Sequence, residues 1–478
     1  MTSPVYQLSD DYIERLAALD PGSATYMGIA GYDDKMTDFS PAGHDARSEL
    51  DSSTLKKLNT LDTSDPADRL AAGVFREALE MNEADYSANE HLRSIRIIAG
   101  DVDAARSVFD LMPTETASNW ETIADRLSQV PAAFDGMCES WKLGIERGAI
   151  AQRRQVLAVS EQLAVWAGLR GNSGFFDDFV SGAANVAGAP VERLKSLASQ
   201  ASQALARTSA FLERDYAPRA EDRNGVGPER HALARRRFMG MAVDARDAYE
   251  WGTNEVLRLD AELSRVAREI KPGATLDEVR HELDNDPAKA VHGEEQLRDW
   301  LQELMDDAMG FLIDNQHFDI PNAIRRVEAM ISPPGGAAAM YYTGPSEDLS
   351  RPGRTWYPAN GRTVFPRWSE PTTAYHEGVP GHHLQVAIAT VNSQTLSRFQ
   401  RNTFVSGHGE GWALYAERLM DEFGFLENPE YRLGYLYAQA FRAARVVIDI
   451  GVHCGFPIPA DFGDRKSTRL NSSHGYIS

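Results

Sequence analysis

The chain has 478 residues and a formal charge of -21, from 70 acidic against 49 basic side chains. That balance excludes a nucleic-acid binder, whose phosphate contacts need clustered Lys and Arg, and the length allows a core large enough for lobes that share a cleft. Two cysteines, Cys138 and Cys454, are too few for a disulfide framework and fit a reducing compartment.

In chain order, Met1 to Asp20 carries acids rather than a basic start and has no apolar stretch long enough for a signal or a span. A cytoplasmic location without a membrane partner is therefore expected. Ser9, Asp10 and Asp11 predict the start of a short amphipathic helix through Leu19, and Pro66 opens another, with Leu70, Val74, Phe75 and Leu79 at helical spacing. Ala, Leu, Glu and Arg dominate residues 115–170, 189–213 and 228–269, which predicts the long helices of a scaffold. Polar breaks at Asp215 to Pro228 and Lys271 to Thr275 punctuate them. From Ser332 to Pro371 the chain is rich in Gly, Pro and aromatics, among them Tyr341, Tyr342, Trp356, Tyr357, Phe365 and Trp368, and predicts turns and short strands. The expected class is mainly α with a small β/turn region. We expect one domain over residues 1–463 in two lobes, a helical scaffold to about residue 330 and a site-bearing region from 331.

The next segment, Tyr375-His376-Glu377-Gly378-Val379-Pro380-Gly381-His382-His383, packs three imidazoles and a carboxylate into eight residues. Zinc takes neutral imidazoles and carboxylates, and a hydrolytic zinc site also needs a carboxylate to take a proton from bound water. His376 and Glu377 suit those two roles. In the familiar H-E-x-x-H helix the second histidine is at i+4, but here that position is Pro380. On an unbroken helix His382, at i+6, would point about 120° away from His376. A bulge across Gly378 to Gly381 would bring it back, whereas His383, at i+7, would lie on the same face but roughly 10 Å up the axis. His382 is the expected second ligand, with His383 the alternative.

Downstream, Ser406-Gly407-His408-Gly409-Glu410-Gly411-Trp412 leads into a helix-forming run that carries Glu417 seven residues after Glu410. Two histidines on zinc usually take a carboxylate as third ligand. Glu410 is the expected one, with Glu417 or His408 orienting an imidazole.

The strings HEGVPGHHLQ and GEGWALYAE, with Leu16 to Asp20-Pro21, Gly28 to Asp33, Tyr341-Tyr342 and Ser350 to Gly353, closely resemble the signatures of the bacterial domain-of-unknown-function 885 (DUF885) family. The family is similar to the gluzincin metallopeptidases, largely helical enzymes in which a histidine pair and a downstream glutamate hold zinc. The resemblance implies a gluzincin-like multi-helix scaffold with a strand beside the metal cleft, where an added peptide strand could bind. It implies one Zn2+ per chain on His376, His382 and Glu410, with Glu377 as general base and peptides or small amides as substrates. Alternatives are a zinc amidase or transferase on small amino-acid conjugates, or an inactive metal-binding scaffold. His453 is the expected oxyanion donor and counts with Glu377 as catalytic; Tyr435 and Arg442 are further candidates for that donor. Tyr342 and Arg442 are expected to bind substrate. The sequence chooses neither endo- nor exopeptidase and does not read the oligomeric state. After Gly463 the composition changes, and Asp464 to Ser478 resembles translated sequencing adapter; a chain truncated at its C-terminus is expected.

Overall fold

The computed structural model describes residues 3–332, 340–459 and 462. The expected tail, Asp464 to Ser478, lies outside the described residues. Helix makes up 67% of the chain and strand 5%, which bears out the mainly α expectation.

The first ten helices are α1 (Pro4–Leu19), α2 (Pro21–Met27), α3 (Pro41–Leu58), α4 (Pro66–Ser87), α5 (Asp101–Ser107), α6 (Ala117–Leu127), α7 (Val130–Glu146), α8 (Arg153–Trp166), α9 (Phe175–Ser181) and α10 (Val191–Phe211). Then come α11 (Pro228–Met239), α12 (Ala245–Ile270), α13 (Leu276–Asn285), β1 (Ala290–His292), α14 (Glu294–Asp314), β2 (Val327–Ile331), β3 (Tyr341–Thr343), β4 (Gly353–Tyr357) and β5 (Val364–Pro366). The last helices are α15 (Glu370–Glu377), α16 (His382–Val391), α17 (Arg398–Asn402), α18 (Ser406–Glu422) and α19 (Pro429–Cys454).

These elements fall into two compact units. Unit 1 comprises Met1–Asn224, Ser346–Asp348 and Asn392–Thr403; unit 2 comprises Gly225–Pro345, Leu349–Val391 and the chain from Phe404. The expected division near residue 330 is therefore displaced to Asn224, because the apolar faces of α12 and α14 are buried with the helices of the later region. Leu259 and Leu263 share a core with Leu433 and Leu436, and Leu301 and Met305 share one with Ala374 and Tyr375.

In unit 1, α1 begins at Pro4 with Ser3 as its cap, five residues before the expected start at Ser9. Ser9 is instead a buried acceptor for the backbone N–H of Phe399. Helix α4 does begin at Pro66, capped by Asp65 through the N–H groups of Ala67 and Asp68. Its Phe75 and Leu79 are buried, but Leu70 is 63% exposed, off the apolar stripe. The buried Arg126 guanidinium donates to the carbonyls of Lys35 and Tyr32 and to Thr25 Oγ1, at 2.9, 3.0 and 2.7 Å.

In unit 2, β2 and β4 pair in parallel and β3 pairs antiparallel with β4, giving the order β2-β4-β3; β1 and β5 form a separate antiparallel pair. Helix α19 crosses the Trp368-Ser369 backbone so closely that a Cβ at Gly434 would lie 2.0 Å from the Trp368 carbonyl oxygen. Only glycine permits that approach. Among the described residues no helix is long and apolar enough to cross a membrane.

Candidate metal centre

The backbone between the two histidines sets the site. Helix α15 ends at Glu377 and α16 starts at His382, so the expected bulge is a full break of four residues containing a cis Val379-Pro380 peptide. Backbone bonds close it: Gly378 N–H donates to Ala374 O, Gly381 N–H to Tyr375 O and His383 N–H to Gly378 O, at 2.9, 3.0 and 3.1 Å. A Cβ on Gly381 would sit 1.9 Å from the His376 carbonyl oxygen, so the turn demands glycine there. From α18, Trp412 Nε1–H donates to the carbonyls of Pro380 and Gly381 at 2.9 and 3.1 Å. The break brings the His376 and His382 rings to 4.9 Å, edge to face.

Glu410, on the second turn of α18, reaches both rings. Its Oε2 lies 3.2 Å from His376 Nε2 and its Oε1 3.6 Å from His382 Nε2. Within this trio, ligand atoms lie no more than 4.8 Å from one another. Donors about 2.0–2.2 Å from one tetrahedral zinc are roughly 3.3–3.5 Å apart; the contacts of Glu410 with the two imidazoles are close to that spacing, and a small closure of the trio would accommodate such an ion. The surroundings of His376 fit as well. His376 Nδ1–H donates to Glu417 Oε1 at 2.7 Å, so in the neutral imidazole it is the Nε2 lone pair that a cation would meet, while in the protonated ring Nε2–H donates to Glu410 Oε2 at 3.2 Å. Glu417 is fully buried, and Thr372 Oγ1, Gln439 Nε2 and Arg442 Nη1 all donate to its Oε2, the last at 3.3 Å.

The electrostatics follow from this packing. Burial opposes a charge on His376, but hydrogen bonds and charges from Glu410 and Glu417 outweigh it and raise its pKa to about 9. His382 is held down to about 4, by burial first and then by the charge of His376. The hydrogen bond to His376, ahead of the opposing burial, holds the Glu410 carboxyl below its ordinary value. Glu377 is 9% exposed; burial pushes its carboxyl up to about 7 against the pull of His376, with the Glu410 charge adding to the rise.

Several expected assignments change. His383, the alternative ligand, is committed elsewhere: its Nε2–H donates to the Ile324 carbonyl at 2.7 Å and its Nδ1 accepts from Tyr342 OH at 2.9 Å. Tyr342, expected to bind substrate, spends its hydroxyl on that imidazole. Arg442, also expected to bind substrate, is held by Glu417 and supports His376 from behind. His453 lies eleven residues beyond Arg442 on α19, roughly 16 Å along the axis. There it pairs with Asp449 and the Val226 N–H, so it is not an oxyanion donor for this centre. Tyr435, about 10 Å from Arg442 in the other direction, packs among partly buried apolar side chains. Of the two candidates for orienting an imidazole, Glu417 does so, and His408 Nδ1 accepts from Gln385 Nε2. Thr372, Gln439 and Trp412 had no assigned role. The first two sit one turn from His376 and from Arg442, so helical spacing was a usable signal for them.

Comparison with known proteins adds the following. The profile of a bacterial protein family of unknown function, DUF885, matches residues 21–471. No curated protein matches the chain. The fold is similar to the crystal structure of a candidate lipoprotein from Colwellia psychrerythraea, with TM-score 0.81, 20% identity, and coverage of 99% of this chain and 88% of that one. It is also similar to a candidate lipoprotein of unknown function from Shewanella oneidensis, with TM-score 0.66, 17% identity, and coverage of 99% and 89%. With its two motif strings on the metal centre and the family profile spanning nearly its whole length, the chain belongs to the DUF885 family.

Proposed function

We propose that this protein is a zinc-dependent hydrolase of the gluzincin type that cleaves peptide bonds. The observation that carries the reading is the convergence of His376 Nε2, His382 Nε2 and Glu410 within 4.8 Å of one another, with Glu417 fixing the His376 tautomer. Zinc bound there would lower the pKa of a water toward about 7 and polarise a scissile carbonyl. Glu377, following the first ligand and raised to about 7, is matched to accepting a proton near neutrality and returning it to the leaving amine. Glu417 and Arg442 keep His376 oriented through the proton transfers. Strand β3 is at the edge of its sheet and its Tyr342 contacts His383, so this is the edge we assign to an extended peptide. We place the protein in the cytoplasm on its two free thiols. The lipoprotein descriptions of the two structural neighbours point to export instead, and cell fractionation decides between them.

The test is elemental analysis of the purified chain beside His376→Ala, His382→Ala and Glu377→Gln, followed by a peptide-library screen. About one zinc per chain is expected in the parent and in Glu377→Gln, little in the two histidine variants, and turnover in the parent only. A parent that takes up no zinc when it is supplied sinks the reading. Zinc without cleavage of any peptide moves the assignment to a small-amide hydrolase or a binding scaffold.

A further inference from the structure

Unit 2 holds a second cluster of reactive side chains where the C-terminal end of α19 meets α11. His231 Nε2 is 2.9 Å from Asp449 Oδ2, and His231 Nδ1 is 3.3 Å from both Cys454 Sγ and Arg235 Nη1. The His231 ring is 6% exposed, while Cys454 is half-buried and the Asp449 side chain is 57% exposed. An ionised carboxylate has acceptors and no donor, so the contact with Asp449 places the proton of the neutral His231 ring on Nε2 and the lone pair on Nδ1. That tautomer donates Nε2–H to Asp449 and turns its one Nδ1 lone pair toward both the Cys454 S–H and the Arg235 guanidinium, each 3.3 Å away, so the thiol and Arg235 share access to it. A nucleophile in reach of a base, itself oriented by a carboxylate, is the arrangement that activates thiols and hydroxyls.

We propose that Cys454, His231 and Asp449 form a base-assisted thiol site that is covalently modified by carbon electrophiles such as α-halo amides. Burial holds the Cys454 thiol above its ordinary value, so it meets an electrophile protonated and depends on the base. With iodoacetamide the sulfur attacks the methylene carbon, the C–S bond forms as the C–I bond breaks, and iodide leaves with the electron pair. The thiol proton passes to His231 Nδ1, where Asp449 stabilises the imidazolium, and then to solvent. This inference is independent of the zinc centre.

Cys138 is the internal reference: it is also half-buried and free, but its sulfur has Thr208 Oγ1 at 3.9 Å and burial raises its pKa to about 11. The experiment follows alkylation of both cysteines in the native full chain by peptide mapping, with iodoacetamide as probe. Cys454 should react at least roughly tenfold faster than Cys138. His231→Gln and Asp449→Asn should each slow it by about 10- to 100-fold, in the range of general-base assistance, without changing the Cys138 rate. Should one variant expose Cys138, it has lost its fold, and the other, with the parent's melting curve, gives the answer. Cys454 no faster than Cys138 in the parent, or unchanged in a folded variant, overturns the site.

Discussion

Unit 1 and unit 2 both bury ionisable groups, but they use them in opposite ways. In unit 1 donors meet acceptors: Arg126 binds two carbonyls and a hydroxyl, and Arg106, 2% exposed, pairs with Asp110 at 2.7 Å beneath the rings of Trp166 and Phe175. In unit 2 acceptors meet acceptors. Two imidazole lone pairs and a carboxylate converge, and only a proton or a metal cation reconciles them. Buried donors facing acceptors hold a scaffold together; acceptors facing acceptors make a candidate cation site.

The comparison can be broken at four points. The largest effect is expected from Glu377→Gln, with peptide turnover falling by about 10²- to 10⁴-fold while zinc content stays that of the parent; equal turnover would remove Glu377 from the mechanism. Next, Arg126→Met should cost about 1–3 kcal/mol by leaving the buried carbonyls of Lys35 and Tyr32 without their donor, measured by denaturant unfolding. Its zinc affinity should not change, and a parallel loss of zinc would show that the scaffold and the site are not separable. Third, Glu417→Gln should keep the packing but weaken zinc by about 10- to 100-fold in a chelator competition; unchanged affinity would make Glu417 part of the scaffold.

The smallest effect is a pair of pH slopes of opposite sign, one on the acid side and one on the alkaline side. His44 and His91 in unit 1 are depressed to about 3 and about 4, chiefly by burial and secondly by Arg47 and Arg147 respectively. The unfolded chain therefore takes up their protons first, and stability present above about pH 6.5 is lost as the pH falls toward 4. In the metal-free protein the raised His376 works the other way: its contribution is full below about pH 6.5 and disappears as the pH rises through about 9. Thermal melts of the metal-free chain between pH 4.5 and pH 9.5 should thus show an acid slope that His44→Gln flattens and an alkaline slope that His376→Ala flattens. The same slopes in parent and variants would disprove both attributions.

Much of the centre was legible in the sequence because its chemistry sits in short strings. His376, Glu377, His382 and Glu410 are read from residue type and spacing, and Pro380 at i+4 already ruled out a regular helix. What was not legible depends on register over long elements. Nothing local says that Arg442 and His453, on one 26-residue helix, serve different neighbourhoods, or that His231, more than 200 residues earlier, faces Asp449. His383 shows a second limit. Its identity matches a ligand as well as that of His382, and only the carbonyl of Ile324 and the hydroxyl of Tyr342, supplied by distant segments, decide against it. The displaced unit boundary has the same origin, since the apolar faces of α12 and α14 do not announce their partners.

If the centre takes up zinc as proposed, the two hydrogen bonds from Trp412 to the Pro380 and Gly381 carbonyls bear on the timing of metal exchange. Trp412 lies two residues after Glu410 on α18, so withdrawing the carboxylate by moving that helix would also strip the turn that aligns both histidines. Departure of the ion along that route becomes a concerted local opening, and its rate would be limited by the helix rather than by the metal–ligand bonds.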